Sequence, residues 1–188
     1  MELRGATTLI TGATGGLGRA IAQTCHQRGA RIVATGRDET ALGELRTRLG
    51  AETHRVDLTG RDGVARLADA VGEVDVLVSN AALPGGGQVA TFSVEEIDRV
   101  LDVNLRAGIV LSRLLAPFMV ERGRGHIIFV SSLAASFPTP GLALYNATKA
   151  ACARTRSRCA PSWHRRASAC RSCIPGRSRM PACGPTPA

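Results

Sequence analysis

Short apolar, β-prone runs alternate with stretches of helical spacing through the first 150 residues, and this alternation constrains the fold more than any other feature. The β-prone runs cover residues 6–11, 31–35, 52–56, 75–79 and 126–131. Helical spacing of apolar residues appears at 17–28 and again at 94–120. Strands that alternate with helices need crossover connections, which produce a parallel sheet covered by helices on both faces. The sequence therefore predicts an α/β chain with a Rossmann-like, doubly wound parallel sheet.

Length and charge limit the class of protein further. At 188 residues the chain is long enough for one domain with a sizeable core. Its formal net charge of +9 comes almost entirely from the residues after Ala150, where eight arginines and no acidic residue are found. The basic residues before that point nearly balance the 15 acidic ones. No apolar run approaches the roughly 20 residues of a membrane span. The N-terminus lacks the pattern of a signal peptide. We therefore expect a cytoplasmic protein with no membrane partner and no disulfide framework.

A glycine-rich stretch, TGATGGLG at residues 11–18, follows the first β-prone run and opens the first helical stretch. A helix start offers free amide groups and the positive end of the helix dipole, and glycines let a pyrophosphate approach the backbone. The candidate cofactor-binding residues here are Gly12, Thr14, Gly16, Leu17 and Gly18. The alternative is a tight turn with a purely structural role, but its position between strand and helix favours nucleotide binding.

The end of the second β-prone run bears on which dinucleotide is bound. Sites for NAD usually place an acid there, which accepts a hydrogen bond from the ribose 2′-hydroxyl. In this chain Gly36 leaves room, and Arg37 can face a 2′-phosphate with its guanidinium group. The pattern favours NADP over NAD. Alternatively, Arg37 is a solvated loop charge; for the neighbouring Asp38 we expect the role of N-cap for a helix over 39–49.

Three further residues are candidates for catalysis. Tyr145 and Lys149 are four residues apart on one predicted helix, so their side chains share a face. A phenol is a poor acid–base group at neutral pH unless its anion is stabilised, and the ammonium group one turn away provides that stabilisation. Ser132 follows the fifth β-prone run, at the sheet edge where open α/β folds bind ligands, and its hydroxyl could hold a substrate carbonyl.

Taken in order, these motifs resemble the short-chain dehydrogenase/reductase family of the single-domain type, from about Leu3 to Ala151. They are TGATGGLG at 11–18, Asp57-Leu58, Ser79-Asn80-Ala81-Ala82, Asp102-Val103-Asn104-Leu105, Val130-Ser131-Ser132 and Tyr145-Asn146-Ala147-Thr148-Lys149. The chain departs mildly from the family at Ser79, where many relatives carry asparagine, and at Ala82, where many carry glycine.

The resemblance implies roles for the matching residues. Asp57 would bind the adenine amino group, with Leu58 beside it, and Asn80 would stabilise the central strands next to the cofactor, together with Ala81 and Ala82. Asn104 would position a water in a proton relay with Lys149, which would also hold the nicotinamide ribose.

The implied activity is hydride transfer between a nicotinamide cofactor, NADP in preference to NAD, and a small-molecule carbonyl compound or secondary alcohol. Tyr145 would exchange the proton with the substrate oxygen. The apolar loop at 133–144 favours a hydrophobic substrate. Members of the family form homo-oligomers through helices that end near Phe118 and Lys149, and neither a nucleic-acid partner nor a metal is implied.

The chain changes character after this helix, which sets a predicted domain boundary between residues 1–152 and an Arg-, Cys- and Pro-rich tail at 153–188. The family continues here with a sixth strand, a Pro-Gly turn, a substrate loop and a seventh strand. A segment with almost no large apolar residue cannot offset its ordering entropy, so we expect the sixth and seventh strands to be missing or disordered.

A slipped reading frame between about Ala151 and Arg158 explains this composition. In a shifted frame, for example, Trp163 followed by His164 encodes alanine, and an amphipathic helix end and buried strand can be recovered. Unclustered arginines argue against a nucleic-acid arm, and Cys170 and Cys173 lack the second ligand pair of a zinc site. Two functions remain at this stage: an NADP-preferring oxidoreductase, or a catalytically inactive fragment that retains at most nucleotide binding.

Overall fold

The computed structural model describes residues 2–137 and 139–155 together with the backbone of 171–173. It contains six parallel strands in the order β3-β2-β1-β4-β5-β6. The strands are β1 Thr7–Ile10, β2 Arg31–Gly36, β3 Glu52–Arg55, β4 Val76–Ser79, β5 His126–Val130 and β6 Arg171–Cys173. The helices are α1 Gly16–Gln27, α2 Glu39–Leu49, α3 Arg61–Val71, α4 Val94–Leu101, α5 Ala107–Glu121 and α6 Ala143–Thr155. The predicted doubly wound parallel sheet is confirmed.

The order in which the chain adds strands to the sheet reverses at β1. From β1 the chain runs outward through β2 to β3, and then returns to place β4 on the other side of β1. Such a crossover leaves a crevice at the carboxyl ends of β1 and β4, where open α/β sheets bind ligands. The fold therefore fixes where a site can be formed.

Two apolar clusters fill the layers on either side of the sheet. Leu9, Leu77 and Phe129 point to one side, where α3 and α5 cover them, while Ile10, Val76 and Val78 point to the other. Alternation of side chains along each strand produces this division. Both faces of the central strands are buried, as their continuous apolar runs predicted.

The long helix predicted over 94–120 is present, but only part of the expected face is buried. Of the apolar residues with helical spacing, Leu105, Val110 and Leu114 pack against the core, whereas Val94, Leu101 and Phe118 are 69%, 37% and 46% exposed. The most deeply buried side chains belong to the next positions along the helix, including Leu111 and Leu115. Both faces are apolar, so periodicity alone could not distinguish them.

A π-helical turn, Asp102–Arg106, joins α4 to α5, so that one continuous helix runs from Val94 to Glu121. Among the described residues, this is the one helix long and apolar enough to cross a membrane, judged by length and composition alone. Since its buried side chains pack on the sheet, as those of a core helix do, this is weak evidence for a membrane span.

The sixth strand requires a correction. Arg171–Cys173 pairs in parallel with β5, with Ile128 opposite Arg171 and Val130 opposite Cys173. The expectation that a sixth strand is missing is therefore wrong for these three residues. The outer edge of β5 presents backbone N–H and C=O groups that pair with another backbone whatever side chains it carries. The rest of the predicted tail beyond Thr155, and with it the expected disorder, lies outside the described residues.

Candidate active site at the crossover

A cavity of about 500 Å³ occupies the crevice at the carboxyl ends of the strands. All predicted site residues except Asn104 line it: Gly12, Thr14, Gly16, Leu17, Gly18, Arg37, Asp57, Leu58, Asn80, Ala81, Ala82, Ser132, Tyr145 and Lys149. The structure thus gathers residues from five strand ends and two helices into one space. Sequence reasoning did not assign Gly15, Thr35, Val56, Leu83, Val103, Val130 and Ser131 to the site, although they also line the cavity.

The glycine-rich turn is tied to the end of β4 by a hydrogen-bond network around Thr11. The backbone N–H groups of Asn80 and Ala81 donate to Thr11 Oγ1 at 3.0 and 3.1 Å. In return, the Asn80 side-chain amide donates to the carbonyl oxygens of Thr11 and Gly12. These bonds hold the crevice walls together, and they give Asn80 a structural role beside the turn.

The turn itself leaves no room for side chains at two glycines. Gly12 has a φ of 64°, and a Cβ placed there would lie 2.8 Å from the Ala81 Cα. A Cβ on Gly18 would lie 2.2 Å from the Gly12 carbonyl oxygen. By contrast, a Cβ on Gly16 would meet no atom of the described residues within 4 Å, so these residues leave the space above the start of α1 open.

The start of α1 has the donors that an anion needs. Its N-cap, Gly15, provides no side-chain hydrogen bond, and the first turn contains no acidic residue. The amide groups of a first turn have no partners inside the helix, and the helix dipole favours negative charge there. The open space, the free donors and the absence of acids together fit a phosphate group.

At the end of β2, the predicted helix cap is present. The Asp38 carboxylate accepts a hydrogen bond from the Ala41 N–H at 3.0 Å, which confirms it as the N-cap of α2. Gly36 packs so tightly that a Cβ would lie 2.7 Å from the Thr14 side chain. Arg37 is exposed at the cavity wall. With Asp38 committed to the cap, the residue that faces the cavity here is a cation.

Asp57, at the end of β3, is held by its own turn. Its Oδ1 accepts hydrogen bonds from the Thr59 N–H at 3.0 Å and the Thr59 hydroxyl at 2.9 Å. The backbone bond from Thr59 is the main reason why the pKa of the Asp57 carboxyl is lowered, and the charges of Arg37 and Arg99 contribute. The carboxylate therefore stays ionised at the cavity wall.

Tyr145 and Lys149 belong to α6 and line the other end of the cavity. The Lys149 Nζ lies 5.7 Å from the centre of the Tyr145 ring and donates a hydrogen bond to the Val130 carbonyl oxygen at 2.9 Å. Lys149 is only 3% exposed, and burial lowers the pKa of its amine. A cation close to an aromatic face is stabilised by the ring, and it in turn stabilises negative charge on the phenol.

Two serines fix the neighbouring backbone. Ser131, which sequence reasoning did not single out, donates from Oγ to the Lys149 carbonyl oxygen at 2.8 Å and so fastens α6 to the end of β5. Ser132 accepts from the Ala134 N–H through Oγ and caps a short 3₁₀ turn. Ser132 and Tyr145 both line the cavity.

Asn104 lies behind the cavity and does not line it. Its side-chain oxygen accepts from the Leu83 N–H at 2.6 Å, and its amide donates to the Leu83 carbonyl and to the Thr148 hydroxyl. The Asn104 carbonyl oxygen accepts from the Cys152 thiol at 3.1 Å. The side chain therefore positions the loop after β4 against α6. Nothing in the amino-acid pattern pointed to this packing role.

A second cavity of about 380 Å³ adjoins Tyr145 on the side away from the glycine-rich turn. Its lining is free of charged residues within the described part of the chain and consists of Ala82, Leu83, Pro84, Gly85, Gly86, Leu142 and Tyr145. A Cβ on Gly85 would lie 3.0 Å from the Tyr145 N, so glycine allows this loop to approach the helix. Tyr145 thus lines both the main cavity and this apolar one.

Fold and site together define a doubly wound protein with a glycine-rich turn at its crossover and a Tyr-Lys helix across the crevice. A family model described as short chain dehydrogenase matches residues 6–180. The chain therefore belongs to the short-chain dehydrogenase family. The match continues past Ala151, where the resemblance was expected to end, and it includes Pro175-Gly176, a pair that the sequence analysis overlooked.

Individual relatives agree with this assignment. The chain is 39% identical over 149 residues to the NADP-dependent 3-hydroxy acid dehydrogenase YdfG of Escherichia coli, which covers 76% of this chain and 60% of the relative. It is 32% identical over 161 residues to an uncharacterized oxidoreductase of Staphylococcus saprophyticus, covering 80% and 69%. A metagenomic short-chain oxidoreductase solved in complex with NADP superposes with a TM-score of 0.87 at 35% identity, covering 94% of this chain and 85% of that one.

Proposed function

We propose that the chain is an NADP-preferring oxidoreductase that transfers hydride between the nicotinamide and a carbonyl compound or secondary alcohol. The observation that carries this proposal is that Tyr145 and Lys149 line the same cavity as the glycine-rich turn. A proton-transfer group and a phosphate-binding helix start then serve one bound dinucleotide. The chain spans 60% of its E. coli relative, so the activity is inferred from this site and not transferred from the whole relative.

The residues that would hold the dinucleotide follow from the cavity wall. The open start of α1 suits the pyrophosphate, with Gly12 and Gly18 keeping the turn close to it. Asp57 would bind the adenine, and Lys149 would bind the nicotinamide ribose. When bound, the cofactor supplies the hydride, and the protein supplies position and charge.

Proton transfer falls to Tyr145. In reduction, its hydroxyl donates a proton to the substrate oxygen, and in oxidation the phenolate accepts one. Lys149 is too buried to move far, and its bond to the Val130 carbonyl holds its charge near the ring throughout. Ser132 offers a hydroxyl in the same wall to hold the substrate oxygen next to the phenol.

Preference for NADP is supported by the end of β2. Arg37 faces the cavity, whereas the acid that follows it in the chain, Asp38, is used as a helix cap. A carboxylate there would repel a 2′-phosphate, and a guanidinium group attracts one. The E. coli relative is named as NADP-dependent, and the metagenomic neighbour was solved with NADP, which agrees with this preference.

The apolar cavity beside Tyr145 favours a hydrophobic substrate. Leu83, Pro84 and Leu142 line it, and Leu133 and Phe137 are exposed nearby in the chain, at 48% and 62%. A carbonyl group at the phenol would then place apolar substituents against these side chains. We expect uncharged ketones or aldehydes with apolar substituents to be better substrates than small charged ones.

The test is turnover by the purified full chain. We expect NADPH oxidation, followed by absorbance, in the presence of apolar ketones from a panel that also contains charged keto acids. Tyr145→Phe should lower kcat by about a hundredfold or more, because it removes only the proton carrier, while NADPH binding stays unchanged. Absence of turnover in a chain that is folded and binds NADPH would contradict the proposal.

A further inference from the structure

Arg55, the last residue of β3, lies directly beside Arg37. In the parallel register of β2 and β3 it stands opposite Gly36. Its Nε donates a hydrogen bond to the Arg37 carbonyl oxygen at 3.3 Å. This bond holds the Arg55 side chain across the end of β2, and it uses the Nε while leaving the two terminal nitrogens available for another partner.

The two arginines share a side cavity of about 270 Å³. Arg37, Arg55, Val56 and Asp57 line it, and all of these except Arg55 also line the main cavity. The side cavity is therefore an extension of the crevice at the ends of β2 and β3. Any group that protrudes from the adenosine end of a dinucleotide in the main cavity would reach it first.

The charges of this extension are only partly balanced by the protein, because two arginines and one carboxylate, that of Asp57, line it. Within the part of the chain that the structure describes, neither Arg37 nor Arg55 forms an ion pair. Asp38 accepts a hydrogen bond from the Ala41 N–H, and Asp57 is hydrogen-bonded to Thr59 but keeps its charge, which interacts with that of Arg37. Two neighbouring guanidinium groups repel each other, and an anion bound between them removes that cost.

We propose that Arg55 is a specificity-determining residue that binds the 2′-phosphate of NADP together with Arg37. The proposal rests on the proposed function, since it assumes that the adenosine end of the dinucleotide lies at β2 and β3. A planar guanidinium group can offer two parallel donors to a phosphate, and two such groups can contact one dianion from different sides. The 2′-hydroxyl of NAD gives Arg55 no charge to bind.

The binding of two small nucleotides measures the contribution of Arg55 to 2′-phosphate binding separately from catalysis. Isothermal titration calorimetry on the full chain would compare adenosine 2′,5′-bisphosphate with adenosine 5′-monophosphate, which lacks the 2′-phosphate. For Arg55→Gln we expect affinity for the bisphosphate to fall about ten- to a hundredfold, the usual effect of losing a hydrogen bond to a charged group. Affinity for the monophosphate should stay the same, which also shows that the variant is folded.

Arg31→Gln provides the matched control. Arg31 is exposed, and its substitution removes the same charge as Arg55→Gln. It begins β2, about 16 Å from the end of that strand. It should change neither affinity. Equal effects of Arg55→Gln on both nucleotides, or no effect on either, would overturn the role of Arg55 while leaving the proposed function in place. If the unmodified chain bound neither nucleotide, both proposals would fail.

Discussion

Tyr145 and Lys149 sit one helical turn apart, yet their surroundings suit them to different tasks. Lys149 is buried and bonded to the Val130 carbonyl, so it acts as a fixed charge. Tyr145 is half-buried between the polar crevice and the apolar one, so it can meet both a cofactor and a substrate. A fixed cation beside a phenol is the arrangement that the proposed acid–base chemistry requires.

Lys149 should also make stability depend on pH. Burial lowers the pKa of its amine from the ordinary value of 10.5, so the charged form costs folding free energy. That cost is fully present below the lowered pKa and disappears as pH rises to 10.5, because the native state releases its proton first. Lys149→Met removes the charge at every pH.

We therefore expect the unmodified chain to gain stability relative to Lys149→Met as pH rises from neutral toward 10.5. Urea denaturation at a series of pH values measures the difference between the two free energies of unfolding. A difference that stays constant over this range, or one that changes in the opposite direction, would show that the amine is not destabilised by burial.

At the scale of elements, two buried threonines have opposite surroundings: Thr8 lies within β1, and Thr11 lies just after it. Thr11 accepts two backbone hydrogen bonds that join the glycine-rich turn to the end of β4. Thr8 is fully buried, and its hydroxyl has no hydrogen-bond partner among the residues that the structure describes. The same substitution to valine, which has nearly the same shape, should therefore have opposite effects at these two positions.

Thr11→Val should lower the free energy of unfolding by about 2–4 kcal/mol, because two buried N–H groups lose their acceptor. Thr8→Val should leave it unchanged or raise it by about 1 kcal/mol, because a buried hydroxyl without a partner is removed. Urea denaturation of both variants gives the comparison. Similar losses in the two variants would mean that the hydroxyl of Thr11 does not hold the crevice together.

Elements with a strong local signal were predictable. The Asp38 cap and the helix that follows it agree with the structure, because a capping carboxylate depends only on its own turn. The buried face of the long helix was predicted only in part, since that helix is apolar on more than one side. Helix α3 was not predicted, although Val64, Leu67 and Ala68 have helical spacing and are buried.

At the scale of the whole molecule, most residues that line the cavity could be predicted from the sequence. The contacts that hold these residues in place could not. The turn and the Tyr-Lys pair are local motifs, so their positions along the chain identified them. Asn104 acts through Leu83 and Thr148, which are distant in sequence, and only the packed fold brings them together. Arg55 likewise joins the site through strand register.

The strand that pairs with the outer edge of β5 shows that composition alone does not predict where a strand forms. A segment poor in large apolar residues was expected to contain no strand, yet Arg171–Cys173 pairs with β5 through its backbone. The family match also continues to residue 180. The slipped reading frame stays a prediction, which the nucleotide sequence of codons 150–160 tests.

The central claim is that a nicotinamide dinucleotide binds in the crevice at the crossover, next to Tyr145 and Lys149. A crystal structure of the full chain with NADP tests this most directly. We expect the pyrophosphate at the start of α1, the 2′-phosphate at Arg37, and the nicotinamide ring beside the Tyr145 hydroxyl. A dinucleotide bound elsewhere, or one whose nicotinamide lies away from Tyr145, would contradict the claim.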